Sequence, residues 1–524
     1  MRDFQRPGRS AVFACDAMAA TSHPLASRVA IRALEEGGNA VDAAVAAALV
    51  LGICEPQMAG IGGDVFALVK PPGAERIRCL NGSGRAPAAL DAAALRARGL
   101  RVMPEHEAEA VTVPGAVEAF ARLVADWGRL GLPRALGPAI RHAEEGVPVA
   151  PRVAADWAGA VGLLRGDARR VYLCRGVPPG PGDVFRAPGM AEALRAVARA
   201  GPAGFYEGPV AEDMVASLRA LGGVHSLEDF ATHRSEYVEP ISGAYRGMEM
   251  VEAPPNGQGA AALLMAAILE RFDLGGLDPL GAERAHLEAE AAKLAYDARD
   301  RYLGDPSRRL AHMLAPATAE RLAGLIDPRR ALSLPSPALG AIHRDTVCLS
   351  VVDRDRMAVS LVYSTFHAFG SGLASRRYGI GFHNRGAAFS LEAGHPNEAG
   401  GGRRPMHTII PGMLRRDGRL AMAFGVMGGA YQAAGHVRLV SNLLDFDMEP
   451  QEAVDAPRSF PEAGVLQLET GYSAQTASAL AALGHRVVRR AVPLGGAQGV
   501  LVDEARGVLI GVSDGRKDGC ALGC

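Results

Sequence analysis

A chain of 524 residues, 48% of them hydrophobic, has ample material for a large buried core, built as one big domain or two. Its 56 basic and 57 acidic residues nearly cancel, and no basic stripe stands out, which argues against nucleic acid as a partner. Seven cysteines, odd in number and without CxxC spacing, argue against a disulfide framework or a zinc site.

The first ten residues have no apolar core of signal-peptide length. The most apolar stretch, Ala40 to Ile53, is too short for a membrane span and carries Asp42. The expectation is a soluble, cytoplasmic protein without a membrane partner. Periodicity predicts a helix from Pro24 to Glu36, stopped by Gly37-Gly38. Asn39 then caps a second helix from Ala40 to Leu51, apolar nearly all round and therefore buried. The turn Gly60-Ile61-Gly62-Gly63-Asp64 leads into a strand from Val65 to Lys70, and another strand runs from Ile77 to Leu80. From about residue 88 to 330 the pattern is mostly helical, with helices predicted at Gly115–Trp127, Arg134–Glu145, Gly189–Ala200, Gly259–Leu269 and Gly281–Tyr302.

Leu332 to Ala341 reads as a linker, and at Asp345-Thr346 a loop gives way to a strand. A threonine at the head of a strand needs no function, because β-branching favours it there. If the Asp345–Thr346 bond is cut, however, Thr346 gains a free α-amine beside its own hydroxyl, which puts nucleophile and general base in one residue. Thr346 to Asp353 reads as a strand, Arg354-Asp355-Arg356 as a tight turn and Met357 to Ser364 as the return strand. Counted back from that turn, Thr346 falls opposite Ser364, a second hydroxyl within reach. Further on come short strands with glycine turns, a helix from Tyr431 to Leu444, a closing strand from Val500 to Ser513 and a tail holding Cys520 and Cys524. Two sheets between helical layers suit this order of elements.

Several segments together resemble the γ-glutamyltranspeptidase family of N-terminal-nucleophile hydrolases. They are Glu35-Glu36-Gly37-Gly38-Asn39-Ala40-Val41-Asp42-Ala43-Ala44-Val45-Ala46, Gly60 to Asp64, Asp345-Thr346, Ser350 to Asp353, Phe369-Gly370-Ser371-Gly372, Arg404-Pro405 and Gly428-Gly429. They occur in family order over nearly the full length. The resemblance implies an αββα four-layer sandwich formed jointly by a helix-rich large subunit, residues 1–345, and a strand-rich small subunit, residues 346–524. It also implies a precursor cleaved between Asp345 and Thr346, with Thr346 as nucleophile, Ser364 as its partner and the Gly428 and Gly429 amides as the oxyanion site. Two glycines before a helix suit that last role physically, since they let N–H groups approach a developing negative charge.

The departures concern the substrate. Better-known members hold the two ends of a glutamyl group with a fixed polar set. The arginine expected before the Ala-Pro pair is present as Arg85, but Phe366 replaces an asparagine. Arg385 and Ala388 replace a glutamine and an aspartate, and His407 and Thr408 replace two serines. The candidate substrate-binding residues are thus Arg85, Asn384, Arg385, His407 and Thr408, of which Arg85, Arg385 and His407 could together receive a small anion. The pattern is similar to the branch that includes oxamate amidohydrolase. The expected activity is amide hydrolysis or acyl transfer on a small amide or γ-glutamyl-type substrate, without metal or organic cofactor. The alternatives are an oxamate-type small-acid amidohydrolase without γ-glutamyl activity, or a non-catalytic binding relative. Beyond substrate, the expected partners are the chain's own two subunits, with a homodimer as an open alternative.

Overall fold

The computed structural model describes residues 8–333 and 346–524. Asp345, and the linker beyond residue 333, lie outside them. Two seven-stranded sheets face one another. The first runs in the order Val12–Ala14, Val508–Ser513, Gly496–Asp503, Arg419–Met427, Pro411–Arg416, Met248–Glu252, Ile241–Tyr245. The second runs Cys520–Gly523, Met18–Thr21, Val347–Val352, Ala358–Ser364, Asp64–Lys70, Arg78–Gly82, Glu236–Val238. Each sheet takes strands from both sides of residue 345, so neither segment could complete a sheet alone.

Alternation along the strands sorts the core into layers. Val347, Leu349 and Val351 pack with Val359, Leu361 and Tyr363 against the helices Pro24–Glu35, Ala40–Cys54 and Ala116–Trp127. Cys348, Val352 and Val362 point the other way and join Ala423 and Val500 between the sheets. The helices Gly259–Leu269, Ala282–Tyr302 and Tyr431–Leu444 cover the far face of the first sheet. The result is the αββα four-layer sandwich. The sheets are also pinned by polar contacts across their interface: Ser360 Oγ donates to the Phe424 carbonyl at 2.6 Å and Cys348 Sγ to the Gly425 carbonyl at 3.2 Å.

The Ala40–Cys54 helix shows how local sequence anchors the site. Asn39 Oδ1 accepts from the Val41 and Asp42 amides, while Asp42 Oδ2 accepts from the Asn39 amide. Such a reciprocal cap contributes about 1 kcal/mol. The Ala40 amide also donates to Asp353 Oδ2 at 2.9 Å, tying the turn of the Thr346 hairpin to the helix start. Every residue of this helix is buried, as its apolar circumference predicts.

Three regions differ from the sequence reading. The predicted closing strand is two strands, Gly496–Asp503 and Val508–Ser513, joined by a tight turn. Cys520–Gly523 is no tail but an edge strand on Met18–Thr21, held by main-chain pairing that so short a segment does not advertise. The hairpin of Ile241–Tyr245 and Met248–Glu252 interrupts the stretch read as helical; its Arg246-Gly247 turn has positive φ at both residues, and Arg-Gly is a weaker hairpin signal than Asn-Gly. Among the described residues no helix is long and apolar enough to cross a membrane.

Candidate active site

Thr346 directly precedes the strand Val347–Val352. Pairing from Val347↔Tyr363 to Val352↔Ala358 follows the predicted register and sets Thr346 against Ser364. Both residues are buried, and Thr346 Oγ1 donates to Ser364 Oγ at 3.3 Å. Ser364 Oγ also accepts from the Phe366 amide at 2.8 Å, where Phe366 takes the left-handed conformation with φ +80°. From the opposite sheet's helical layer, Gln432 Nε2 donates to Thr346 Oγ1 at 3.4 Å, and its Oε1 accepts from the Ile410 amide at 3.1 Å. Sequence reasoning missed Gln432. Its only signal is its place in the first turn of the helix after Gly428-Gly429.

Gly428 and Gly429 connect the strand Arg419–Met427 to that helix, with φ of +124° and +59°. Their carbonyls turn back: Gly428 O accepts from the Tyr431 amide, and Gly429 O from the Gln432 amide and from Gln258 Nε2 at 3.1 Å. Neither glycine amide donates a hydrogen bond among the described residues. Gln258 is itself held by buried Arg299, whose Nη1 donates to Gln258 Oε1 at 2.8 Å.

Asp64, fully buried, is the polar hub below the pair. Its Oδ1 accepts from the Gly84 and Gly115 amides at 3.0 and 3.1 Å. Its Oδ2 lies 3.1 Å from His407 Nε2 and 3.3 Å from His383 Nδ1. Burial alone would raise the Asp64 pKa, but the two imidazoles outweigh it and hold the carboxyl well below its ordinary range. Burial, with the Arg385 charge second, pushes His407 down to about 3, so at neutral pH it is a neutral ring donating from Nε2 to Asp64. His407 is thus committed to Asp64 and carries no positive charge for an anion. The sign of this hub in the sequence is an acid heading a strand that is apolar from Val65 to Val69.

The remaining candidates separate. Arg385 is fully buried; its Nη1 donates to Thr408 Oγ1 at 3.0 Å, and its Cζ lies 3.9 Å above the Phe366 ring. Asn384 is structural in its contacts: Oδ1 accepts from the His367 amide and Nδ2 donates to the Glu105 carbonyl. Arg85 is half-exposed and engaged with Glu236 at 2.8 Å and Asp305 at 3.5 Å. Of the three residues read as an anion set, Arg85 is thus engaged with two carboxylates and His407 with Asp64. Beside the site lies a cavity of about 450 Å³ whose walls include Glu105, His367, Arg299, Ala388 and Met406. Elsewhere, buried His286, Glu290 and His485 cluster with a spacing a metal could use. The His286 and His485 rings share a hydrogen bond at 2.7 Å, and Lys293 Nζ sits 2.6 Å from Glu290 Oε1, so the group is already internally satisfied.

The chain is similar to known proteins over nearly its full length. The family profile described as gamma-glutamyltranspeptidase matches residues 26–524. The glutathione hydrolase-like YwrD proenzyme of Bacillus subtilis is 33% identical over 97% of this chain and 98% of its own. The oxamate amidohydrolase proenzyme of Klebsiella pneumoniae is 34% identical over 97% of this chain and 98% of its own. The crystal structure of cephalosporin acylase from Bacillus halodurans superimposes with a TM-score of 0.92 at 37% identity, covering 100% of this chain and 99% of that one.

Proposed function

The chain belongs to the gamma-glutamyltranspeptidase family, whose relatives are hydrolases and acylases, and from that premise we propose that it is a self-processing amidohydrolase with Thr346 as nucleophile. The observation that carries the reading is the buried triangle in which Thr346 Oγ1 contacts both Ser364 Oγ and Gln432 Nε2, beside two glycine amides that meet no acceptor among the described residues.

The chemistry proceeds in two stages. First, the Thr346 hydroxyl adds to the carbonyl carbon of Asp345, a residue outside those described. The C–N bond breaks as the amine takes up a proton, which leaves an ester on Oγ1. Water hydrolyses that ester, giving the Asp345 carboxylate and a Thr346 with a free amine and hydroxyl. Next, the freed amine accepts the hydroxyl proton while Oγ1 adds to a substrate amide carbonyl. The Gly428 and Gly429 N–H groups receive the developing oxyanion, and Ser364 and Gln432 orient the attacking oxygen. Proton return from the Thr346 amine lets the leaving amine depart, and water releases the acyl group as a carboxylic acid.

Two relatives carry amide-cleaving names, an oxamate amidohydrolase and a cephalosporin acylase, and this supports hydrolysis of a small amide. The third name, glutathione hydrolase-like, supports a γ-glutamyl donor as the second reading. Intact mass and N-terminal sequencing test the nucleophile. The expected result is a fragment beginning Thr346-Val347-Cys348, absent in Thr346→Ala. A Thr346→Ala chain that still splits at this bond would refute self-processing.

A further inference from the structure

We infer that Gln258, locked in one orientation by Arg299, is a positioning residue that holds the Gly428-Gly429 turn ready for the developing oxyanion. The inference rests on the amidohydrolase reading and adds two residues to it.

Two glycines let a turn come close to an oxyanion and equally let it move away. Gly428 and Gly429 have φ of +124° and +59°, and neither has a Cβ to restrict those values. Donors stabilise a developing charge only when they are already aimed at it, so the turn has to be held from outside. The Gly428 and Gly429 carbonyls accept from the Tyr431 and Gln432 amides, which are the bonds of the helix that follows. Buried Gln258 supplies a hold from elsewhere in the chain. Its Nε2 donates to the Gly429 carbonyl at 3.1 Å and to the Thr408 carbonyl at 2.7 Å, with the Ala430 carbonyl 3.5 Å away. Tyr296 Oη adds a second hold by donating to the Ala430 carbonyl, while it accepts from the Ala434 amide at 3.3 Å.

A primary amide can sit two ways round, and here only one way fits. Arg299 Nη1, a donor without acceptor capacity, lies 2.8 Å from Gln258 Oε1. On the other side stand three carbonyl oxygens, which only accept. Turning the amide over would set N–H against guanidinium and oxygen against oxygen, with buried groups left unpaired. Arg299 is itself fixed, since Nε donates to Asp300 Oδ1 at 2.7 Å and Cζ lies 4.5 Å from the centre of the Tyr296 ring. Tyr296 and Arg299 stand three residues apart on the helix Ala282–Tyr302 and so share one face. Tyr296 reaches the turn directly and Arg299 reaches it through Gln258. Gln258 occupies the cap position of the helix Gly259–Leu269, yet its side chain makes no capping bond there. Its bonds go instead to the turn and to the Thr408 segment.

Gln258→Glu separates positioning from plain structural support. The introduced carboxylate still accepts from Arg299, so the buried cation stays paired, but it turns an oxygen towards the three carbonyls and releases the turn. The probe is p-nitrophenyl acetate, a neutral ester with no charged group to be recognised. Thr346 Oγ1 bonds the acetyl carbon, the Thr346 amine takes the hydroxyl proton and p-nitrophenolate leaves; water then frees acetate. Both steps pass through an oxyanion at the same place. In processed Gln258→Glu, kcat should fall by about thirtyfold with KM unchanged, somewhat less than the loss of a whole oxyanion donor. Arg299→Met, which frees the amide to turn over, should lower kcat by about fivefold, and Arg299→Lys should recover most of that loss because an ammonium also only donates.

A wild-type kcat in Gln258→Glu overturns the inference. A wild-type kcat in Arg299→Met does so too, and decides the matter if Gln258→Glu is not processed. The inference also falls if the losses follow a matching drop in melting temperature, or if Arg299→Lys is as impaired as Arg299→Met. Those results leave the amidohydrolase reading standing. A wild-type enzyme that releases p-nitrophenolate no faster than Thr346→Ala removes that reading, and the inference with it.

Discussion

Gln432 Nε2 meets Thr346 Oγ1 at 3.4 Å across 86 residues of sequence, while Gln432 Oε1 holds the Ile410 amide. One side chain thus couples the helix after Gly428-Gly429 to the head of the strand in the facing sheet. Gln432→Leu keeps the volume and removes both bonds. Loss of one bond to the attacking oxygen should slow appearance of the Thr346 fragment by about tenfold, since ~1.4 kcal/mol is a factor of ten. The rate is read by intact mass on freshly made precursor, with melting temperature as control. An unchanged processing rate would show that Gln432 does not orient the hydroxyl.

Gly428 has φ of +124°, and a Cβ there would lie 2.9 Å from Gly495 Cα and 3.3 Å from Gly495 N. These are backbone atoms that cannot swing aside. Gly428→Ala should therefore displace the turn and lower amide turnover by about a hundredfold, the scale of losing one oxyanion donor. Turnover at the wild-type level would exclude the Gly428 amide from the oxyanion site.

Glu55 gives a pH signature for stability. It is buried after the Ala40–Cys54 helix and accepts from Ser22 Oγ at 2.5 Å. Burial raises its pKa from 4.5 to about 7, against the opposing effects of Lys517 and Ser22. The folded value exceeds the unfolded one, so its stabilising contribution is fully present below pH 4.5 and is lost as pH rises through 7. Glu55→Gln, neutral throughout, should be more stable than wild type at pH 8 by up to about 3 kcal/mol, with the gap closing towards pH 4.5. Chemical denaturation at both pH values measures it, and a pH-independent gap would contradict the assignment.

The Thr346–Ser364 relationship was readable because a hairpin is local. A three-residue turn and a period of two dictate which residues face each other, and Val347↔Tyr363 confirms that count. The Asn39 cap and the buried helix behind it were legible for the same reason. By contrast, the Ile241–Glu252 hairpin and the Cys520–Gly523 edge strand were missed. Their strands are short, and the edge strand exists only because a partner strand is nearby.

Substrate recognition was not local at all. In sequence Arg85 was the arginine the resemblance leads one to expect and Arg385 a departure from it, but folding engages Arg85 with Glu236 and Asp305, whereas Arg385 Nε and Nη2 meet no partner among the described residues. His407 likewise became a neutral donor only through burial against Asp64. The sequence alone determined the hairpin register and the hydroxyl pair, because these follow from side-chain period and turn length, whereas the αββα layer order came with the family resemblance. Which charged groups are paired and which remain available was decided only by the tertiary structure. That property depends on desolvation and on partners brought together from residues 64, 366, 383, 385, 407 and 432.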